Sequence, residues 1–161
     1  MTQSRSVRPG VCGIGAAAFA AVLLSATILA VGPATAQAAS PTPWATFYAH
    51  ELATSSREQV YRANLQAALD AEDVALTMTT ARVLYNYAKR EATWLTTHKP
   101  QPCYKAWWAY TRNYWTQTRE GSGDILKAVQ RVDAAYLTTA LVHLNRAERY
   151  LAAMESHLPT C

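Results

Sequence analysis

The sequence predicts an all-α protein, an up-down-up-down four-helix bundle built as a duplicated helical hairpin, behind an N-terminal secretory signal peptide. Three observations predict it. The prolines after the leader (41, 43, 100, 102 and 159) sit at the ends and at one central break, and none falls within Trp44–Lys99 or Cys103–Leu158. The residues between breaks are mostly Ala, Leu, Arg, Gln, Glu and Tyr, a helical composition. No useful window shows the apolar–polar alternation of a strand.

The leader comes first. Residues 1–10 carry Arg5 and Arg8 and no acid, residues 11–31 are uncharged and apolar, and small residues follow at Ala34-Thr35-Ala36-Gln37-Ala38. That order is a secretory signal, with cuts fitting after Ala36 or, by preference, after Ala38; an uncleaved anchor is the competing reading. Removing residues 1–38 leaves about 123 for the fold, enough for one domain over 39–161 and not two. All eleven acids stay and two of the fifteen Lys and Arg leave, so the net charge drops from +4 to +2. That balance excludes a strongly basic nucleic-acid binder. The location expected is secreted or extracytoplasmic, with no membrane contact once the signal is cleaved.

Asp is a favoured N-cap, so Asp70-Ala71-Glu72-Asp73 and Asp133 mark the interior turns, giving helices at about 43–69, 73–97, 103–131 and 133–158. The segment Gly121-Ser122-Gly123-Asp124 could read as a loop. Continuity is favoured because Cys103, Trp107, Tyr110, Tyr114, Gln117, Gly121, Ile125, Ala128 and Val132 keep a 3–4 spacing straight through it. A second argument comes from Cys103 and Cys161, which pair in an oxidising compartment once Cys12 leaves with the leader. A turn at 132 makes both arms equal, whereas a turn at 122 separates the cysteines by about 30 Å. Trp44, Phe47, Leu69 and Asp70 match Trp107, Tyr110, Val132 and Asp133 at a constant offset of 63, which suggests the duplication.

The familiar catalytic and cofactor motifs are missing, including E-x-x-H, C-x-x-C-H, H-E-x-x-H, G-x-S-x-G and a phosphate-binding glycine loop. No cofactor is expected, an enzyme is disfavoured, and haem on His143 with Met78 or Met154 is disfavoured because Met at helical spacing fills cores. One polar constellation stands out. Polar residues Glu51, Ser55, Glu58 and Arg62 interrupt the apolar stripe of helix 1, and His143 lies on the core line of helix 4. Equal heights in the bundle would bring Glu58, Arg62, Tyr85, Gln117 and His143 into one mid-bundle layer. The favoured reading of that layer is a paired structural network, or charges that simply face water; the sharper one is a pocket for a small polar ligand, ahead of a metal.

The last feature is aromatic. Leu76, Val83, Tyr87 and Trp94 form a second stripe on helix 2, and Tyr104, Trp108 and Trp115 lie beside the main stripe of helix 3. They either pack on one another or form a patch for a protein, a cell-surface partner or weak self-association. The expectation is therefore an exported binding or interaction module of unknown partner, with small-ligand or metal binding around Glu58 and His143 as the alternative.

Overall fold

The computed structural model describes residues 40–157. The expected signal peptide and Cys161 lie outside the described residues. Four helices are present: α1 (Trp44–Asp70), α2 (Val74–Thr97), α3 (Lys105–Arg131) and α4 (Ala135–Ser156). A short 3-10 turn, Pro102–Tyr104, precedes α3, and there is no strand among the described residues beyond one isolated bridge, Thr42 with Pro100. Each expected helix is found, with ends within two residues of those read from the sequence.

Pro43 opens α1, and its carbonyl accepts from Thr46 and Phe47 N–H. The helix ends as Glu72 enters the left-handed region (φ 52°) and Asp73 N–H returns to the Ala68 carbonyl. Asp73 then caps α2, its carboxylate accepting from Leu76 N–H at 2.9 Å. Asp70 is not a cap: it is the last residue of α1 and accepts from Gln66. The second turn repeats the first, with Val132 left-handed (φ 53°), Asp133 N–H on the Ala128 carbonyl and the Asp133 carboxylate accepting from Ala135 N–H. The residues with matching roles are thus Glu72 with Val132 and Asp73 with Asp133, an offset of 60 (132 − 72) rather than 63. Helices α1 and α3 are both 27 residues long and correspond at an offset of 61 at each end (105 − 44 and 131 − 70).

Gly121 and Gly123 lie within continuous α3. A Cβ at Gly121 would stand 2.8 Å from Leu144 Cγ and 3.3 Å from the Ala140 carbonyl oxygen, so glycine there permits the close approach of α4. Thr111, Thr118 and Ser122 of the same helix are fully buried. Ser122 and Thr111 satisfy their hydroxyls on carbonyls one turn back.

Consecutive helices run antiparallel, as paired contacts show: Phe47 with Trp94 and Tyr61 with Tyr87, Leu95 with Trp108 and Tyr87 with Trp115, Gln117 with His143 and Tyr110 with His157. The close backbone approaches are α3 with α4, α2 with α3, and α1 with α2; α1 with α4 is not among them. The core divides in two. One cluster, near the chain ends, gathers Phe47, Tyr87, Leu95, Trp107, Tyr114, Trp115 and Met154. The other, toward the two turns, gathers Leu65, Ala81, Leu84, Ile125 and Ala140. Tyr87 and Trp115 are therefore interior residues and cannot belong to an exposed aromatic patch. The apolar arcs of α2 and α3 are wide enough to bury both stripes at this level.

Candidate functional site

The five residues of the expected polar layer separate into two groups. Glu58 and Arg62 form the first. Arg62 Nε donates to Glu58 Oε1 at 2.8 Å, and the Tyr114 hydroxyl of α3 donates to the same oxygen. Arg62 Nη1 reaches across to Glu148 of α4, the one ion pair linking α1 and α4 among the described residues. Burial pushes the Glu58 carboxyl above its ordinary range, against the pull of Arg62 and Tyr114. Burial and the neighbouring Glu58 charge push the Tyr114 phenol up as well. For Arg62, burial acts downward but Tyr114, Glu58 and Glu148 outweigh it and hold the guanidinium protonated.

Glu51, two turns earlier on α1, faces the same interior. Its Oε1 is buried without a hydrogen-bond partner. Burial, then the charges of Glu91 and Glu58, push its pKa up to about 8. The Trp115 indole N–H is directed at it, pulling the other way, yet makes no hydrogen bond of normal geometry. Glu91 of α2 is itself buried and lies 2.6 Å from His50 Nε2. His50 in turn stacks on Trp94 (3.7 Å between centroids), which also stacks on His98. Helix α1 is thus held by polar contacts of His50, Glu58 and Arg62, by Thr54, whose carbonyl accepts from the Tyr87 hydroxyl at 3.0 Å, and by the buried apolar residues Phe47, Leu65 and Ala68.

Gln117, His143 and Tyr85 form the second group, on a different flank of α3. His143 Nδ1 donates to the Gln117 side-chain oxygen at 2.9 Å, with Glu120 Oε2 at 3.3 Å and Asp124 Oδ2 3.6 Å from Nε2. Asp124 is buried and accepts from Lys127 at 2.7 Å. His143, Glu120, Asp124 and Lys127, with Tyr85 and Tyr136, line an open groove of about 550 Å³, and Gly123 leaves room for the Tyr85 ring, 3.3 Å from where a Cβ would stand. The groove carries both signs of charge, each already paired. Among the described residues no group of three or more His, Cys, Asp or Glu side chains is arranged to hold a metal.

The remaining expected patch residues are dispersed. Tyr104 stacks on Trp44 at 4.5 Å, and the Trp108 indole donates to the Leu95 carbonyl while Lys99 and Arg112 cover its ring. Leu76 and Val83 are exposed on α2, apart from these rings.

A third feature lies at the end of the molecule where both turns meet. Leu69, Val74, Ala128, Val129, Val132 and Leu137 line a depression of about 570 Å³, with Glu72 and Asp133 at its rim. Val132 is 93% exposed, Val74 64%, Leu137 41% and Leu69 37%. The sequence places Val132 at the end of the core stripe of α3; instead the chain flips to φ 53° there and turns the side chain into water. A β-branched residue in the left-handed region is sterically disfavoured, and glycine or asparagine is the usual occupant. Leu141, one turn beyond Leu137 along α4, is also exposed.

No protein-family model matches the chain, and neither a curated protein nor a solved structure shows significant similarity to it. The functional reading therefore rests on the molecule itself. Sequence periodicity missed Tyr114, Glu148, Glu91 and Asp124 as partners of the polar groups. Tyr114 is on the quoted core line of α3, and a phenol one turn from Gln117 is a visible hydrogen-bonding partner for a buried carboxylate.

Proposed function

We propose that the chain is an exported, disulfide-closed four-helix bundle that acts as a binding module, not a catalyst, and docks a partner protein on its apolar turn end. One observation carries this reading: Val132, a β-branched residue in a strained left-handed conformation, is almost fully exposed beside an apolar depression lined by Leu69, Val74 and Leu137. Strain and exposed apolar surface both cost stability, and features kept at such a cost mark interaction sites. Export rests on the arrangement of the leader. The disulfide reading is supported by the antiparallel hairpin of α3 and α4, in which His157 meets Tyr110, two turns after Cys103. A Cys103–Cys161 bridge closing that loop would contribute roughly 4 kcal/mol.

Nile red, a neutral dye that brightens on apolar surface, tests the docking face. Saturable binding that is lost in Leu69→Asn/Leu137→Asn and kept in His143→Ala is expected. Binding unchanged by the double substitution would contradict the assignment. The second reading, a small polar ligand near His143, is favoured by the open groove that His143, Tyr85 and Asp124 line. It predicts a ligand-dependent rise in melting temperature that His143→Ala removes.

A further inference from the structure

The turn end carries charge as well as apolar surface, and acidic residues predominate there. Asp70, Glu72, Asp73 and Asp133 are all exposed there, within or beside the two turns that frame the depression. Arg131 also stands at this end, where it donates to the neutral Tyr136 hydroxyl at 2.6 Å and keeps its charge, while Lys127 is paired with Asp124. Bases cluster instead toward the opposite end, where Lys99 and Arg112 flank Trp108 and Lys105 opens α3. A domain whose net charge is only +2 thus presents a locally acidic rim around an apolar floor.

We propose that this surface takes a cationic amphipathic segment of a partner protein. Apolar side chains of that segment would seat against Leu69, Val132 and Leu137, with Lys or Arg on either flank meeting Glu72 and Asp133. The proposal rests on the docking reading above and adds the chemical class of the partner. The reasons are physical. The four carboxylates stand within or next to the lining segments, inside the roughly 10 Å over which charges act at ordinary ionic strength. A basic segment is attracted and oriented by them, whereas an anionic surface, whether phosphate-bearing lipid or nucleic acid, is repelled from this end. The positive net charge of the whole domain does not favour a cationic ligand, so any preference for one must come from this local rim.

The test uses the oxidised mature protein and three fluorescent synthetic helical peptides with the same leucine spacing, whose polar face is all lysine, all glutamine or all glutamate. Fluorescence anisotropy should show the Leu/Lys peptide binding at least about tenfold more tightly than Leu/Gln, and Leu/Glu not at all, with the preference shrinking as salt is raised. Glu72→Gln/Asp133→Asn removes two rim charges while keeping an amide oxygen to cap Ala135, and should bring Leu/Lys and Leu/Gln together. Val132→Asn should weaken all binding, and circular dichroism of each variant shows that it is folded. Equal binding of the three peptides would overturn the cationic class and leave the docking face standing. Failure of all three would overturn both. Leu/Lys binding that neither variant alters would place the site elsewhere and overturn the proposal.

Discussion

Replacing Glu51 with glutamine should change how stability depends on pH. In the folded chain the Glu51 carboxyl titrates near 8 against an ordinary 4.5, because it is buried and faces the charges of Glu91 and Glu58. A group whose folded pKa is raised contributes stability that is fully present below its unfolded pKa and is lost as pH rises through its folded pKa. Wild-type stability should therefore decline between about pH 4.5 and pH 8 and level off above. The shift of 3.5 units (8 − 4.5) sets an upper bound of about 5 kcal/mol on the part of the decline that Glu51 contributes. Glu58, also raised by burial, adds to it in the same direction. A glutamine side chain mimics the protonated acid in shape and cannot ionise, so the Glu51→Gln variant should lose much of the slope and become more stable than wild type at pH 8. Urea unfolding followed by tryptophan fluorescence, repeated across this window, measures both. A wild-type stability that rises from pH 5 to pH 8, or an identical slope in the variant, would refute the reasoning.

Other consequences follow from particular contacts. Gly121→Ala places a methyl 2.8 Å from Leu144 Cγ and against the Ala140 carbonyl oxygen, and should lower stability by about 1–3 kcal/mol in thermal unfolding. Gly123→Ala meets only the ring edge of partly exposed Tyr85, at 3.3 Å, and should be neutral or stabilising by up to about 1 kcal/mol. Tyr114→Phe removes a hydroxyl donated to buried Glu58 and should cost about 1–3 kcal/mol in urea unfolding at neutral pH. Val132→Asn relieves the left-handed strain and should raise stability by about 1 kcal/mol while weakening partner binding, a combination that a purely structural residue would not give.

Much of the fold was legible because proline, aspartate caps and the spacing of apolar residues all bear on element boundaries. The continuity of α3 through Gly121 and Gly123 followed from the unbroken 3–4 spacing, and the close fit of Leu144 against Gly121 now gives those glycines a packing role. The site was less legible, since equal height along antiparallel helices does not fix the direction a side chain faces. Glu58 and His143 stand on different flanks of α3, the first meeting Tyr114 and the second Gln117. Val132 ends an apolar stripe that is real along α3, but its backbone leaves the helix there, and no periodicity reports that flip. The second stripes of α2 and α3 carried an ambiguity between core and surface that only their neighbours resolve. Tyr87 and Trp115 meet each other edge to face at 5.6 Å and are buried, while Leu76 and Val83 are not.

The central claim is that the acidic, apolar turn end is where this molecule binds. Amide chemical-shift mapping of the isotopically labelled mature chain during titration with the Leu/Lys peptide tests it most directly. The account predicts that the largest changes fall on Leu69–Val74 and Val132–Leu137, with little at Trp94, Trp108 or His143. Changes centred on the His143 groove, or on the aromatic end around Trp94 and Trp108, would contradict it.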